Sequence, residues 1–199
     1  MPDETALLQG LRRCDPAAFT ELFELYSDRV FRLAVRFLND EREAEEVVQD
    51  TFLAVFEKID GFEGRSRLGT WIYRIAANFA LMRLRARRPD DRSLDAEPGD
   101  EGEAILPAVL ADWTSAPESL LSSTEALAAM EHAIAELPDA LRTAFVLRDL
   151  EELSTEDAAE TLGITPGALK VRLHRARLLL RERLSAYFAE RLPAVEGRS

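Results

Sequence analysis

Residues 154–183 read STEDAAETLGITPGALKVRLHRARLLLRER, and this stretch decides the fold. Ser154 followed by Asp157 forms a capping box, Gly163 supplies a tight turn, and Thr165-Pro166 is an N-cap with proline at the first helical position. The spacing predicts a helix, a short turn and a second helix. In the second helix Leu169, Leu173, Ala176 and Leu180 recur on one face, which docks on the first helix and leaves Gly167, Lys170, Val171, His174 and Arg175 outward. A helix-turn-helix with outward cations suits the major groove of duplex DNA. An amphipathic core helix with a solvated basic face accounts for the cations but not for three consecutive junctions.

Overall charge runs against DNA binding. The formal net charge is −12, whereas an autonomous DNA-binding domain usually carries a basic footprint. The charge is segregated, however. Arg65 to Arg88 holds seven arginines and no acid, Pro166 to Arg183 six Lys or Arg against one Glu, and Pro89 to Ser119 nine acids against one arginine. Two basic elements flanking an acidic connector describe DNA contacts that are weak alone and need a larger partner.

Composition excludes several classes. At 199 residues and 47% hydrophobic content the chain holds one or two small packed domains. No apolar run reaches the roughly 18–20 residues of a membrane span, and MPDETALLQG has no basic segment leading into an apolar one, so no membrane insertion and a cytoplasmic location are expected. Cys14 is the only cysteine and His132 and His174 the only histidines, which excludes an internal disulfide and a zinc finger; no metal or cofactor is expected.

Periodicity predicts an all-α chain. A first helix starts at Asp15-Pro16 and buries Phe19, Leu22, Phe23, Tyr26, Val30, Leu33 and Phe37, ending near Asn39. A second runs from about Asp40, with Ala44, Val48, Phe52, Val55 and Ile59 inward, to Asp60-Gly61. After the loop Phe62 to Leu68 a third helix extends from about Gly69 to Arg87 and is ended by Pro89. Four prolines, two glycines and the acid excess make the connector an extended linker, interrupted by an apolar patch from Ile105 to Trp113. Helix resumes after Ser115, with Leu120, Leu127, Met130, Ile134 and Leu137 on one side, and Pro138-Asp139 opens the helix before the helix-turn-helix. The expected organisation is a domain at 1–88, a linker at 89–116, a second domain at 117–192 and a disordered tail at 193–199.

Two further surfaces stand out. Trp71, Ile72, Tyr73, Arg74 and Asn78 follow the Arg65-Ser66-Arg67 loop, so aromatics, guanidinium groups and an amide gather on one local surface suited to unstacked bases. The same residues also read as core aromatics beside solvated arginines. On the second helix Glu46, Asp50, Leu53 and Glu57, with Gln49 adjacent, form an acidic face with one exposed leucine, either simply solvated or a partner surface.

The segments AEEVVQDTFLAVFEKIDGFEGRSRLGTWIYRIAANFALMRLRARR and ELPDALRTAFVLRDLEELSTEDAAETLGITPGALKVRLHRARLLLRERL resemble the second and fourth regions of bacterial extracytoplasmic function sigma factors, over about residues 15–88 and 117–187. VQDTF, TWIYRIAAN and VRLHRAR, in this order and separation, carry the resemblance. It implies a helical bundle and a helix-turn-helix domain, joined by the acidic linker, that bind core RNA polymerase, direct it to promoters and help open the duplex. By resemblance Glu46, Gln49, Asp50 and Leu53 dock on the polymerase. Phe62, Gly64, Arg65, Ser66, Arg67, Thr70, Trp71, Arg74 and Asn78 recognise the −10 element around an extruded base. Lys170, Val171, Arg172, His174 and Arg175 meet the −35 duplex, with Lys170 and Arg172 mainly on phosphates. The linker threads the polymerase cleft, and an anti-sigma protein masks both domains. The two promoter elements would lie about one and a half to two helical turns apart.

The sequence departs from the family at Met82 and at Ala168 to Val171, where Val171 would meet a thymine methyl rather than donate a hydrogen bond. An autonomous helix-turn-helix regulator is the alternative, but neither a dimerisation helix nor a basic overall surface is evident. Catalysis is not expected: Asp90, Asp91 and His132 have no nucleophile, phosphate loop or metal spacing beside them.

Overall fold

The computed structural model describes residues 4–87 and 124–189, and every element among them is helical. The expected linker with its Ile105 to Trp113 patch, Leu120 and the 193–199 tail lie outside the described residues.

The first unit comprises α1 (Glu4–Arg12), α2 (Pro16–Leu38), α3 (Glu41–Lys58) and α4 (Leu68–Arg87). Asp15 caps α2 by accepting from the Ala17 N–H at 3.0 Å, ahead of proline at the first helical position. Asn39 ends α2 in the left-handed region at φ 49°, and Asp40 caps α3 at once by accepting from the Glu43 N–H. This two-residue corner folds α3 back along α2, and α4 completes a three-helix bundle around Leu22, Leu33, Phe37, Val55, Ile72 and Leu84. The sequence reading had no helix before Asp15. Yet α1 buries Leu7 and Leu11 on the bundle, and a Cβ at Gly10 would stand 2.7 Å from that of Ala18, so glycine permits the close approach.

The inward faces differ in detail from the expected stripes. Val47, Thr51 and Ala54 join Ala44 and Val55 in the core, while Phe23, expected inside, is 48% exposed. Phe23 pairs with Phe52, and Phe19 with Phe56, each at 4.8 Å, along the outer edge of the α2/α3 seam.

The second unit comprises α5 (Thr124–Ala135), α6 (Asp139–Phe145) running into a π-helical turn (Val146–Leu150), α7 (Thr155–Leu162) and α8 (Pro166–Ala189). All three junctions read from sequence are present. Ser154 Oγ accepts from the Asp157 N–H at 3.0 Å, Gly163 is left-handed at φ 70°, and Thr165 Oγ1 accepts from the Ala168 N–H at 3.1 Å. Leu169, Leu173, Ala176 and Leu180 are buried as expected, and so are Ile134 and Leu137, but Leu127 is exposed.

Candidate nucleic-acid interface

The loop between α3 and α4 is fastened at both ends. Phe62 is only 4% exposed and its ring sits 5.1 Å from that of Trp71. This corrects the expectation that Phe62 faces DNA: its ring anchors the loop. Gly64 turns the chain at φ 72°, and Arg65 and Arg67 project into solvent, Arg65 beside Glu63. Along α4, Thr70, Arg74 and Asn78 recur every fourth residue on one side, Asn78 fully outward, with Trp71 half-buried next to them. Met82 continues the row and is exposed.

The arginine-rich run is therefore not one basic surface. Arg83, farther along α4, donates to Asp50 at 2.9 Å and Glu46 at 3.2 Å, and Arg87 lies 2.8 Å from Glu43 and 3.4 Å from Asp40. Two of the acids assigned to polymerase docking, Glu46 and Asp50, thus share one α4 cation, Arg83. The remaining docking residues look the other way: Leu53 is 63% exposed, and with Gln49 it borders an open apolar hollow lined by Phe19, Phe23, Phe52 and Phe56. Sequence reasoning missed these aromatics because their helical spacing equally fits a buried stripe.

On α8, Lys170 and Arg175 are exposed, and Val171 and His174 are half-buried on the same side. Arg172 is a correction. It is 3% exposed, three residues after Leu169 and four before Ala176, and so falls on the inward stripe rather than the outward side. Arg177 holds α8 against the π-helical turn through a two-pronged pair with Asp149 at 2.7 and 2.8 Å.

The two units meet along a polar seam. Arg142 is buried and donates to the Phe37 carbonyl of α2 at 3.0 Å, as well as to Leu137 and Ala135 carbonyls and to Asp139 of its own unit. Glu151, also buried, accepts from Arg29 at 2.8 Å; burial pushes its carboxyl above the ordinary glutamate range despite Arg29, Arg36 and Arg32 nearby. Arg29 also lies 4.7 Å over the ring of Tyr73, whose hydroxyl burial pushes up to about 12. Toward the rim, Arg36 binds Glu131, and Arg74 donates to Asp157 at 3.0 Å and Glu160 at 2.7 Å. The guanidinium expected on the −10 strand is thus held by two acids of α7. Among the described residues no helix is long and apolar enough to cross a membrane, and no acid, histidine and cysteine cluster could hold a metal.

A helical bundle with an arginine and aromatic surface, coupled to a helix-turn-helix, defines a two-part DNA-reading protein. Comparison with known proteins gives its family. Residues 22–89 match Sigma-70 region 2 and residues 127–180 match Sigma-70, region 4. The chain is 35% identical over 178 residues to the ECF RNA polymerase sigma factor SigW of Bacillus subtilis, covering 89% of this chain and 94% of that one. It is 36% identical over 175 residues to the RNA polymerase sigma-H factor of Pseudomonas aeruginosa, covering 86% and 88%. Its fold is similar to that of the sigma factor RpoE, solved in complex with the anti-sigma factor NepR from Bartonella quintana, at a TM-score of 0.59 and 28% identity, over 84% of this chain and 96% of that one. The chain belongs to the extracytoplasmic function sigma factors of the sigma-70 family. It is an RNA polymerase sigma factor rather than an autonomous regulator.

Proposed function

We propose that this sigma factor acts in the cytoplasm as a non-catalytic specificity subunit, reading a −35 duplex with Lys170, Val171, His174 and Arg175 and a melted −10 strand with the 63–67 loop, Thr70, Trp71, Arg74 and Asn78. The observation that carries the reading is α8, whose capped, rigid start presents Lys170 and Arg175 to solvent on the side opposite its buried leucines. A cationic helix held in that way fits the major groove, and Arg175 has the fork geometry for guanine. Exposed backbone in the Gly64 turn and the Trp71 edge suit an unstacked base. Core RNA polymerase docks on the α3 side around Gln49 and Leu53, with Glu46 and Asp50 at its flank, and supplies cationic surface that this acidic chain lacks. An anti-sigma protein is the expected regulator.

The domain arrangement adds a requirement. Promoter elements about one and a half to two turns apart are separated by ~50–70 Å of duplex, whereas Arg74 and α7 are in hydrogen-bond contact. Engagement of both elements therefore demands that the two units separate and Arg74 exchange its carboxylates for DNA.

In vitro transcription with sigma-free core on a fragmented genomic library tests the reading. Start sites that depend on the protein and share two upstream motifs are expected; an absence of new starts with folded protein and active, cognate core rejects it. Asp50→Ala should lower core affinity severalfold and leave promoter preference unchanged. Arg83→Gln, which breaks the same ion pair from the other side, is the control, and an equal loss would show that Asp50 serves α4 rather than polymerase.

A further inference from the structure

We propose that α1 is a brace that positions the −10 loop, with Glu4 and Arg12 as its two positioning residues. The proposal rests on the reading of that loop as the −10 surface. Arg12 Nη2 donates to the Phe62 carbonyl at 2.7 Å, where the loop begins after the 3-10 turn Ile59–Gly61 that follows α3, and Glu4 Oε1 accepts from the Leu68 N–H at 3.0 Å, where the loop enters α4. The two bonds span sequence separations of 50 and 64 residues and enclose the whole of 63–67.

Each bond has a local reason. Leu68 is the first residue of α4, so its N–H has no intrahelical acceptor, and Arg67 before it has no side-chain oxygen to serve as a cap. Glu4 supplies the acceptor from another helix and sets a negative charge at the positive end of α4. A carboxylate beside a strand-binding loop repels phosphates, a cost that makes sense if it holds the loop's backbone. At the other end Phe62 has its ring fixed on Trp71 and its carbonyl fixed by a guanidinium, so the loop starts from a clamped residue. The brace is itself rigid: Leu7 and Leu11 are buried, and Gly10 lets α1 lie against Ala18. Between the clamps Glu63, Gly64 with its positive φ, Ser66 and the outward Arg65 and Arg67 shape the surface offered to a base. Preorganising such a loop spares the ordering cost that binding would otherwise carry.

The test uses the full chain assembled with core polymerase, measuring affinity for a single-stranded −10 oligonucleotide, affinity for a −35 duplex, and hydrogen exchange at the Leu68 amide. Glu4→Ala and Arg12→Ala should each weaken the −10 oligonucleotide about tenfold, the scale of one charge-assisted hydrogen bond, and leave −35 binding unchanged. Glu4→Gln keeps an acceptor and should retain most of the affinity, and Leu68 exchange should quicken in Glu4→Ala but little in Glu4→Gln. Unaltered −10 affinity with merely lowered thermal stability, or equal losses at both elements, overturns the proposal. Unchanged Leu68 exchange in Glu4→Ala overturns it independently of DNA. If instead Asn78→Ala and Arg67→Ala leave −10 binding intact, it is the assignment of the surface that fails, and the brace with it loses its function while the exchange result still reports its geometry.

Discussion

The two helices proposed to read DNA, α8 and α4, both carry cations suited to nucleic acid, yet they stand in opposite states. Lys170 and Arg175 face solvent, whereas Arg74 is engaged by Asp157 and Glu160. The contrast teaches that a basic sequence is not by itself a basic surface. On α4 the acids of α3 neutralise Arg83 and Arg87, and the acids of α7 neutralise Arg74. On α8 Arg177 pairs with Asp149 and Arg183 with Glu136, while Lys170 and Arg175, nearer the start of the helix, remain exposed. One protein thus holds the cations of one proposed surface open and has Arg74 of the other engaged by its own second unit.

The largest expected effect comes from the buried part of the seam between the two units. Arg142→Ala leaves Asp139 and several carbonyls without their buried donor and should cost about 3 kcal/mol of stability, of the order known for broken buried ion pairs; a thermal melt that barely moves would place Arg142 outside the interface. Next, Arg175→Ala should weaken −35 duplex binding by about tenfold or more and relax selection there, while Asn78→Ala impairs −10 binding and spares −35. Loss of both activities in either variant would erase the distinction between the two surfaces.

The rim of the seam is a gentler probe. Glu131 and Glu160 are half or more exposed, and pairs of that kind are worth about 1 kcal/mol or less each. Glu131→Gln with Glu160→Gln should therefore widen the molecule in small-angle scattering and raise −10 oligonucleotide affinity a fewfold off polymerase, and salt should act in the same direction. A scattering curve that is unchanged in the double variant and in high salt would mean that the rim pairs do not hold the units together.

The smallest effect is that of pH. Glu151 faces Arg29, Arg32 and Arg36 of α2, with Tyr73 of α4 beside Arg29, and burial raises its carboxyl in the closed form. A raised acid binds its proton more tightly when closed, so its contribution to closure is fully present below the ordinary glutamate range and is lost as pH rises through the raised value. Closure in the wild type should loosen over that window relative to Glu151→Gln. A pH dependence of the opposite sign would mean that the Arg29 pair outweighs desolvation.

Much of this was written in local sequence. The Ser154, Gly163 and Thr165-Pro166 junctions, the Asp15-Pro16 and Asp40 caps and the leucine face of α8 each follow from bonds within a few residues, and all are present in the structure. The limits appear where a side chain's partner is distant in sequence. Helical spacing could not tell whether Phe23 meets a neighbour or water, and at Arg172 the resemblance to DNA-contacting positions stood against a spacing that already places it on the inward stripe. Nor could it show that Glu4 and Arg12 close on the −10 loop from a helix that leaves little trace in a short polar stretch. Sequence by itself determined the longer helices, their capped ends and the family, because capping and periodicity are short-range physics. Only the tertiary structure decided which cations remain available, because charge is neutralised by whatever acid the packing brings within hydrogen-bond reach.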